Sequence, residues 1–421
     1  MITIETLNAS GKRPVLQWPS EDGAHVPYRL FFEREIFDRE QERIFRGSNW
    51  SFVGLSVEVP RLGDYKSTYI GDTPVVIVRG KEGEIHGWVN RCGHRGAKVC
   101  RHLRGNVRNF TCIYHQWQYG LDGSLLGVPF RKGLKTMHGM PADFEMSAHG
   151  LQPLRVGSYR DLVFATFSDD APPLIDFLGP EMTPLIDAVF CKPITFLGIT
   201  RQRIKANWKL YIENVKDPYH GHLLHLFHNS FNVSRPTMDV GNRLDPRGLH
   251  SAIMGIANEA MHDTSIYVSD KVGTFKEDAT LADPEVIRAR PETSPQVKSL
   301  VQSIFPSLVV QRIHNSLAAR QIVPRGPDEF ELVFHMFGYA DDDAELADMR
   351  LLQANLVGPA GFISMEDGEA TEIVQAAISQ PGNEAHSGMF MGRGAPEGHV
   401  SLITEELIRA FWRGYRAMMA D

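Results

Sequence analysis

Residues 91–125 read RCGHRGAKVCRHLRGNVRNFTCIYHQWQYGLDGSL and contain two short pairs of cysteine and histidine. One residue separates Cys92 from His94, two residues separate Cys112 from His115, and 17 residues lie between the two pairs. Either pair alone is weak evidence, because buried cysteines are common in globular proteins. Two such pairs, each expected at the tip of a β-hairpin, predict a metal centre held by two sulfurs and two ring nitrogens.

The donor set favours an iron–sulfur cluster over a single ion. In a Rieske-type [2Fe–2S] cluster two thiolates hold one iron and two imidazoles hold the other, which raises the reduction potential. A tetrahedral zinc ion uses the same donor atoms, but structural zinc sites more often pair Cys with Cys and His with His, whereas each pair here is mixed. Three other residues that could bind a metal fall outside this scheme. We interpret His102 as a surface imidazole and Cys100 and Cys191 as small buried residues.

The sequence around these pairs predicts a small all-β domain over residues 47–167. Short runs rich in Val, Ile, Tyr and Phe alternate there with turn sequences such as LDGS at 121–124. Residues 1–46 are assigned to the second domain, because 30–46 has the apolar face of an amphipathic docking helix. The segment SDDAPP at 168–173 has the composition of a linker, so the boundary is expected near it.

Residues 168–421 are predicted to form an α+β domain, because amphipathic segments are mixed with strand-like ones. The predicted helices cover residues 206–229, 342–357, 366–380 and 402–419, and the predicted strands cover 195–204, 307–323 and 330–339. Residues 232–300 lack periodicity and are rich in Pro, Asp, Arg and Ser. Such a long irregular insertion is typical of a functional lid or of a disordered segment.

The segment ANWKLYIENVKDPYHGHLLHLFHN, residues 206–229, contains a second candidate metal site. It holds His220, His222, His225 and His228 together with Glu213 and Asp217. That density of imidazoles and carboxylates favours a metal site over a set of core histidines. Periodicity does not select the ligands, because His220 and His225 are five residues apart and Pro218 interrupts any regular helix.

Together the two motifs resemble those of the large (alpha) subunits of Rieske non-haem iron aromatic-ring-hydroxylating oxygenases. The pattern C-x-H-x₁₇-C-x₂-H, with Tyr114 before and Trp117 after the last histidine, is similar to their cluster signature. The run from Glu213 to His225 is similar to their pattern E-N-x-x-D-x-Y-H-x₄-H. The resemblance implies the following ligands: Cys92, His94, Cys112 and His115 for the cluster, and His220 and His225 for a mononuclear iron. The other two histidines, His222 and His228, are then pocket or core residues.

A facial triad of two histidines and one carboxylate needs an acid from elsewhere in the chain. The segment GPAGFISMEDGEATE, residues 358–372, places Glu366 and Asp367 at the start of a predicted helix. Acids are also favoured there by the helix dipole alone, which is the ordinary explanation for them. The segment resembles the third-ligand region of the family, and that resemblance implies Asp367 rather than Glu366 as the ligand.

The resemblance also supplies expectations for fold, cofactors and partners. It implies an all-β Rieske domain joined to a helix-grip catalytic domain, in which a twisted antiparallel sheet with flanking helices faces the iron segment. Each chain would hold one [2Fe–2S] cluster and one mononuclear Fe(II), supplied with electrons from NADH through a ferredoxin reductase and a ferredoxin. A small β subunit, in an α₃β₃ assembly, is expected as well. Asp217 would connect His220 to His115 of the adjacent chain and orient both rings, so function would require an oligomer.

Within the family, the stretches ENVKDPYH, GYADDD and GPAGFISMEDG look closest to hydroxylases of aromatic acids, particularly salicylate 5-hydroxylase and terephthalate dioxygenase large subunits. The expected reaction is the conversion of salicylate to gentisate, with a terephthalate or anthranilate-type ring dioxygenase as the alternative. The terephthalate enzymes have an additional basic residue before the last helix, and the equivalent region here, residues 397–406 (EGHVSLITEE), has no Arg. Arg320, in the apolar stretch 312–324, is the candidate for binding the substrate carboxylate, unless it forms a structural ion pair or lies at a solvated strand end. Asn214 is a second candidate substrate-binding residue.

Bulk composition bears on other classes of function. The net charge is −7 and the chain has no block of Lys and Arg, so nucleic-acid binding is not predicted. The first twenty residues lack the apolar core of a secretory signal, and no run of about 18 apolar residues occurs. We therefore expect a cytoplasmic protein without a membrane partner. From a different class, a non-catalytic Rieske electron carrier or a zinc-stabilised binding module would differ from an oxygenase in iron and sulfide content.

Overall fold

The structure is a computed structural model that describes residues 18–292, 296–389 and 402–420. It begins with strand β1 (His25–Pro27), a 3₁₀ turn (Tyr28–Phe31), helix α1 (Arg34–Glu40) and a π-helical turn (Gln41–Phe45). The docking helix predicted over 30–46 is therefore three short pieces rather than one. Its predicted apolar side chains are nevertheless almost all buried, among them Phe31, Ile36 and Phe45. The sequence pattern identified the buried face but not the hydrogen-bond type of each turn.

The small domain is built from two antiparallel sheets. Its strands are β2 (Ser51–Leu55), β3 (Asp64–Ile70), β4 (Thr73–Arg79), β5 (Ile85–Val89), β6 (Arg104–Asn106), β7 (Phe110–Thr111), β8 (Gln118–Tyr119), β9 (Leu125–Gly127), β10 (Pro153–Tyr159) and β11 (Leu162–Thr166). Seven of them pair in the order β2-β11-β10-β5-β4-β3-β6, and β7-β8-β9 form a separate sheet. Gly71, with φ of +56°, makes the tight turn between β3 and β4 that a two-residue hairpin loop requires.

The large domain contains one seven-stranded antiparallel sheet in the order β12-β18-β17-β16-β15-β14-β13. Its strands are β12 (Ile194–Ile204), β13 (Asp239–Leu244), β14 (Ser251–Ile256), β15 (Val297–Ile304), β16 (Leu308–Ile313), β17 (Ser316–Gly326) and β18 (Glu329–Tyr339). The strands predicted at 195–204 and 330–339 are confirmed. The one predicted at 307–323 is a hairpin instead, because His314 adopts a left-handed φ of +50° in the turn between β16 and β17.

The described helices of the large domain cover the four predicted segments, two of them as shorter pieces, and include three short helices that were not predicted. They are α2 (Leu174–Leu178), α3 (Thr183–Val189), α4 (Trp208–Asn214), α5 (His220–Leu223), α6 (Leu226–Asn229), α7 (Ser265–Ser269), α8 (Ala344–Leu352), α9 (Ala354–Val357), α10 (Phe362–Ile378) and α11 (Glu406–Met419). The predicted helix 206–229 is broken into three. Pro218, which lacks the N–H that a continuous helix needs, separates α4 from α5, and the extended backbone of His225 separates α5 from α6. A last short strand, β19 (Ser387–Met389), pairs with β1.

Residues 232–300 are more ordered than the irregular insertion that their composition suggested. Two strands of the large sheet, β13 and β14, lie within them and pair with each other. The β13 segment, DVGNRL, is only partly buried and has almost no apolar alternation, which explains why the pattern did not predict it. Between β14 and β15 the described chain contains only the short helix α7 and one 3₁₀ turn.

The two domains share a polar joint as well as apolar side chains. Lys66 Nζ lies 2.6 Å from a carboxylate oxygen of Glu58, and Nδ1 of His335, on β18, lies 3.1 Å from the same carboxylate. Burial lowers the pKa of His335 to about 4, against the smaller opposing effect of Glu58. Beside this group, the Thr68 hydroxyl donates a hydrogen bond of 2.9 Å to the side-chain oxygen of Gln321. The predicted boundary at 167/168 falls in the connection between β11 and α2.

None of the described helices combines the length and the apolar character that a membrane-spanning segment requires.

Candidate metal centres and substrate cavity

The two loops that contain the Cys/His pairs have matching backbone hydrogen bonds. The N–H of Cys92 donates to the Ala97 carbonyl (2.8 Å), and the N–H of Cys112 donates to the Trp117 carbonyl (2.9 Å). Each cysteine carbonyl also accepts a bond from the fourth residue after it, Gly96 or Gln116, both with a positive φ. Only the second loop is a hairpin tip, between β7 and β8; the first loop connects β5 to β6, which are not paired. That part of the hairpin prediction was wrong.

The side chains of these loops suit a two-iron cluster. Both sulfurs, of Cys92 and Cys112, are buried and free of disulfide bonds. The Nδ1 atoms of His94 and His115 face each other at 3.1 Å, close to the separation of two nitrogens on one metal ion. The hydroxyl of Tyr119 lies 3.1 Å from Cys92 Sγ and accepts the N–H of Gly93. Burial raises the pKa of Tyr119, so this hydroxyl keeps its proton and can donate it to a thiolate.

The same geometry argues against a single zinc ion in these loops. Four ligands of one tetrahedral ion lie close together, because each is about 2.0–2.3 Å from the metal. Among the described residues, the one group of three or more ligands whose donor atoms all lie within 4.8 Å of one another is His220, His225 and Asp367. The four cysteine and histidine side chains therefore do not converge on one point, as a shared zinc ion would require.

The second centre brings together residues from two distant segments. His220 begins α5, His225 precedes α6 in an extended conformation, and Asp367 lies in the second turn of α10. The Nε2 atoms of His220 and His225 each lie 3.3 Å from Oδ1 of Asp367. Because α10 begins at Phe362, the two acids Glu366 and Asp367 are not at the helix start where the sequence placed them. Gly368 allows the close packing of α10 on β12, since a Cβ there would lie 2.6 Å from the Gln202 side chain.

A second carboxylate stands behind each of the two histidines. Asp217 Oδ2 lies 3.0 Å from His220 Nδ1, and Glu366 Oε2 lies 2.8 Å from His225 Nδ1. These bonds leave both Nε2 atoms free to bind a metal, as in the carboxylate–histidine–metal arrangement. Burial opposes charge on the His220 ring, but hydrogen bonds with Asp217 and Asp367 raise its pKa to about 10. Three carboxylates around two imidazoles form an anionic site that suits a divalent cation.

Asn214 and Asp217 also contribute at the end of α4. The side-chain nitrogen of Asn214 lies 2.9 Å from Asp367 Oδ1 and 3.1 Å from His220 Nε2. Asp217 accepts the backbone N–H groups of Tyr219 (2.8 Å) and His220 (3.3 Å), which stabilises the break in the chain at Pro218. Sequence reasoning left Glu366 without a role and did not consider Tyr119. In the sequence, Glu366 is distinguished only by its position next to Asp367, and Tyr119 only by its position just after the Cys112–Trp117 loop.

A cavity of about 770 Å³, including its open mouth, borders this centre. Its walls are largely apolar, with Met238, Ile253, Met254, Val301 and Ile313 among them. Arg320, on β17, also lines it and is only 4% exposed. The guanidinium of Arg320 donates to the Gln311 side-chain oxygen (2.5 Å) and to the Tyr211 hydroxyl (2.7 Å). Across the described chain it has no carboxylate at ion-pair distance, so the structural ion pair considered from the sequence is not present.

The remaining candidates fall into two groups. Cys100 is buried and His102 is exposed, as expected, whereas Cys191 is exposed and the prediction of a buried residue was wrong. Cys191 follows α3 at the start of the connection to β12, where its sulfur lies 3.7 Å from the Tyr339 hydroxyl. His222 and His228 both line the cavity. Burial lowers the pKa of His222 to about 4 and that of His228 well below its usual value, so both rings are neutral.

Comparison with known proteins identifies both domains. Residues 49–138 match the family model described as the Rieske [2Fe-2S] domain, and residues 191–421 match that of the ring hydroxylating alpha subunit (catalytic domain). The anthranilate 1,2-dioxygenase large subunit of Burkholderia cepacia is 54% identical over 405 residues, which cover 96% of this chain and 95% of that one. The salicylate 5-hydroxylase large oxygenase component of Ralstonia sp is 38% identical, covering 96% of each chain.

Two further comparisons agree with this result. Subunit alpha 2 of the terminal oxygenase component of terephthalate 1,2-dioxygenase from Comamonas sp is 40% identical over 97% of this chain and 98% of its own. Naphthalene 1,2-dioxygenase from Rhodococcus sp. has the same fold, with a TM-score of 0.77 over 94% of each chain at 24% identity. The matched domains imply a Rieske cluster and a mononuclear iron, with electrons from NADH through a reductase. The chain therefore belongs to the family of Rieske non-haem iron ring-hydroxylating oxygenase large subunits.

Proposed function

We propose that this chain oxygenates the ring of an aromatic carboxylic acid whose carboxylate is held by Arg320. The observation that carries the proposal is a buried guanidinium that lines the cavity and whose hydrogen-bond partners, among the described residues, are the neutral side chains of Gln311 and Tyr211. A buried charge without an opposite charge is unfavourable, and an anionic ligand would supply one. The planar guanidinium can also hold a carboxylate through two parallel hydrogen bonds, which would fix the ring relative to the iron centre.

Anthranilate is the substrate that the comparisons favour. The anthranilate enzyme of Burkholderia cepacia is 54% identical to this chain, whereas the salicylate 5-hydroxylase component is 38% identical. Salicylate, converted to gentisate, remains the second candidate, because ENVKDPYH and GPAGFISMEDG resemble salicylate hydroxylases. Terephthalate is less favoured, since residues 397–406 have no Arg for a second carboxylate. Of that stretch, 397–401 lie outside the described residues.

The residues of the chain would divide the work as follows. Cys92, His94, Cys112 and His115 would hold the cluster, and His220, His225 and Asp367 would hold the iron. When bound, the two metal groups supply the electrons and the activation of dioxygen. Asp217 and Glu366 would orient the two iron-binding imidazoles through their Nδ1 atoms. The apolar cavity would exclude water and position the ring, while Arg320 would set which ring carbon faces the iron.

Electron delivery would require a second copy of the chain. His115, at the edge of the small domain, is half-buried, and its neighbours Ile113 and Tyr114 are exposed apolar residues. We propose that this edge meets the Asp217 region of an adjacent copy, so that Asp217 joins His220 to the neighbouring His115. Members of this family work with a reductase and a ferredoxin and often with a β subunit, and we propose the same partners for this chain.

The proposal is tested by product analysis with the purified oxygenase, NADH, O₂ and its redox partners. Anthranilate, salicylate and terephthalate are compared, and ring-oxygenated product is expected from anthranilate first. The Arg320→Gln variant should raise the apparent KM for the acid by about 10- to 100-fold. Arg320→Lys should raise it by less, because the charge is kept, but should still raise it, because a point charge cannot reproduce the planar fork. Arg325→Gln, on the same strand but paired with Glu331, is the matched control. An unchanged KM in the Arg320→Gln variant would remove this residue from the site.

A further inference from the structure

Two histidines that are not in the iron-binding trio form part of the cavity wall. His222 and His228 both line the cavity that Arg320 also borders. His222 is only 7% exposed, and the His228 ring packs against that of His225 with ring centroids 4.7 Å apart. This part of the cavity wall therefore carries polar side chains next to the iron-binding residues.

The hydrogen bonding of His228 determines which of its nitrogens is available to a ligand. Its Nδ1 lies 2.7 Å from the carbonyl oxygen of Gly221, so Nδ1 carries the proton and donates it there. A neutral imidazole has one donor and one acceptor nitrogen. Nε2 of His228 is therefore an acceptor, held in place by the backbone of α5.

His222 provides an independent observation. Its Nδ1 is buried and has no hydrogen-bond partner among the described residues. Buried polar atoms in native structures nearly always have a partner, so the Nδ1 atom of His222 has a hydrogen-bonding position that water or a ligand would complete. His222 and His228 thus offer hydrogen-bonding positions in a cavity that is otherwise mostly apolar.

We propose that His222 and His228 recognise a hydrogen-bond donor on the ring carbon next to the carboxylate, so that the chain selects 2-aminobenzoates. This inference rests on the proposed function, in which anthranilate (2-aminobenzoate) is the favoured substrate, and goes further, because it names the two residues that would recognise the 2-amino group. One N–H of a 2-amino group can bond to the neighbouring carboxylate, and the second N–H remains for an acceptor on the protein. The single proton of a 2-hydroxyl group is used within the molecule, and a 2-methyl group has no proton to donate.

The test measures dissociation constants by calorimetry on the full-length oxygenase with both metals loaded and no reductant, so that no turnover occurs. The ligands are 2-aminobenzoate, 2-hydroxybenzoate, 2-methylbenzoate and 2-(dimethylamino)benzoate. For the wild type we expect 2-aminobenzoate to bind at least about tenfold more tightly than the other three. In His228→Leu and His222→Leu the ratio between 2-aminobenzoate and 2-methylbenzoate should fall towards one. His262→Leu, at an exposed histidine that does not line the cavity, is the control and should leave that ratio unchanged.

The outcomes separate this inference from the proposed function. If none of the benzoates binds to the wild type, the assignment to aromatic acids fails. If they bind and Arg320→Gln weakens all of them, but the wild type does not prefer 2-aminobenzoate, only the role of the two histidines is overturned. An undiminished preference in both leucine variants overturns it too. Iron content shows whether a variant has kept its metal site. A wild type that does not prefer 2-aminobenzoate overturns the role of the two histidines even if neither variant folds.

Discussion

The two candidate metal centres of this chain are constructed in different ways. The cluster ligands come from two neighbouring loops with matching backbone hydrogen bonds, and their histidines lie at the domain edge, with His94 exposed. The iron ligands come from segments far apart in the chain: Glu366, beside one ligand, is 141 residues from His225. Both His225 and Asp367 are buried.

This contrast corresponds to what each centre must exchange. A cluster near the surface can pass electrons to another protein by contact, whereas the iron centre is reached by small molecules through the cavity. The cluster loops need only short-range geometry, and in the described part of the chain Tyr119 adds a side-chain hydrogen bond to one cluster-binding sulfur, that of Cys92. The iron centre has a carboxylate behind each histidine because buried imidazoles need their second nitrogen satisfied.

The largest effect is expected from removing one metal at a time. Asp367→Ala should lower turnover by about 1,000-fold or more while the Rieske absorbance persists, because the carboxylate is needed to hold the iron. Cys112→Ser should abolish that absorbance while the iron stays bound. Iron and acid-labile sulfide analysis, together with electron-spin resonance, checks both variants. Loss of both metals from either variant would show that the two centres are not independent.

The next effect concerns the connection between the centres. Asp217→Asn should retain both metals but slow electron delivery by about 10- to 100-fold. We propose that Asp217 lies between His220 and His115 of an adjacent copy, and the substitution removes its charge. The measurement is the rate of cluster oxidation after reduced, substrate-bound enzyme is mixed with O₂. Asp278→Asn, a change at an exposed acid, is the matched control. A wild-type rate with both sites loaded would show that Asp217 has no bridging role.

The same contrast explains what the sequence could predict. The cluster motif lies within a short stretch, and its fixed spacing between Cys92 and His115 is visible without tertiary structure. The large-sheet strands β12 and β18 were predictable from alternating apolar residues. The third iron-site residue, Asp367, came only from family resemblance, because its approach to His220 depends on the packing of α10 against β12.

Other features depended on contacts that a local pattern does not encode. Strand β13 is held by pairing with β14 rather than by its own apolar residues. The role of Glu366 depends on the extended backbone of His225, which turns its Nδ1 towards α10. Neutral partners for Arg320 could not be foreseen either, since Gln311 and Tyr211 lie on different elements.

A smaller effect, on iron affinity, is expected from changing the carboxylate that is hydrogen-bonded to an iron-binding histidine. Glu366→Gln should weaken iron binding by about tenfold, because the neutral amide holds the His225 N–H less strongly. Glu366→Asp should recover part of that loss. Iron affinity is measured by competition with a chelator, and the cluster absorbance should not change. Glu369→Gln, exposed one turn further along α10, serves as the control, and an equal loss of affinity there would contradict a specific role for Glu366.

The smallest effect concerns the joint between the two domains and its dependence on pH. Burial lowers the pKa of His335 to about 4, whereas an unfolded chain has a histidine pKa of about 6.5. Below about pH 6.5 the unfolded chain therefore binds a proton that the folded chain does not, and stability falls as the pH falls towards 4. Between pH 7.5 and pH 5.5 this should reduce the free energy of unfolding by about 1 kcal/mol. Glu58, whose pKa is also lowered, loses its contribution only at lower pH and so adds little between these two pH values.

The His335→Gln variant keeps a side chain that can bond to Glu58 but cannot titrate. Denaturant unfolding of wild type and variant at both pH values, followed by tryptophan fluorescence, gives the difference directly. The other buried histidines with lowered pKa values, such as His250, contribute equally to both proteins and cancel. The variant should therefore lose about 1 kcal/mol less than the wild type on acidification. An identical loss in the two proteins would mean that His335 takes up a proton without weakening the joint.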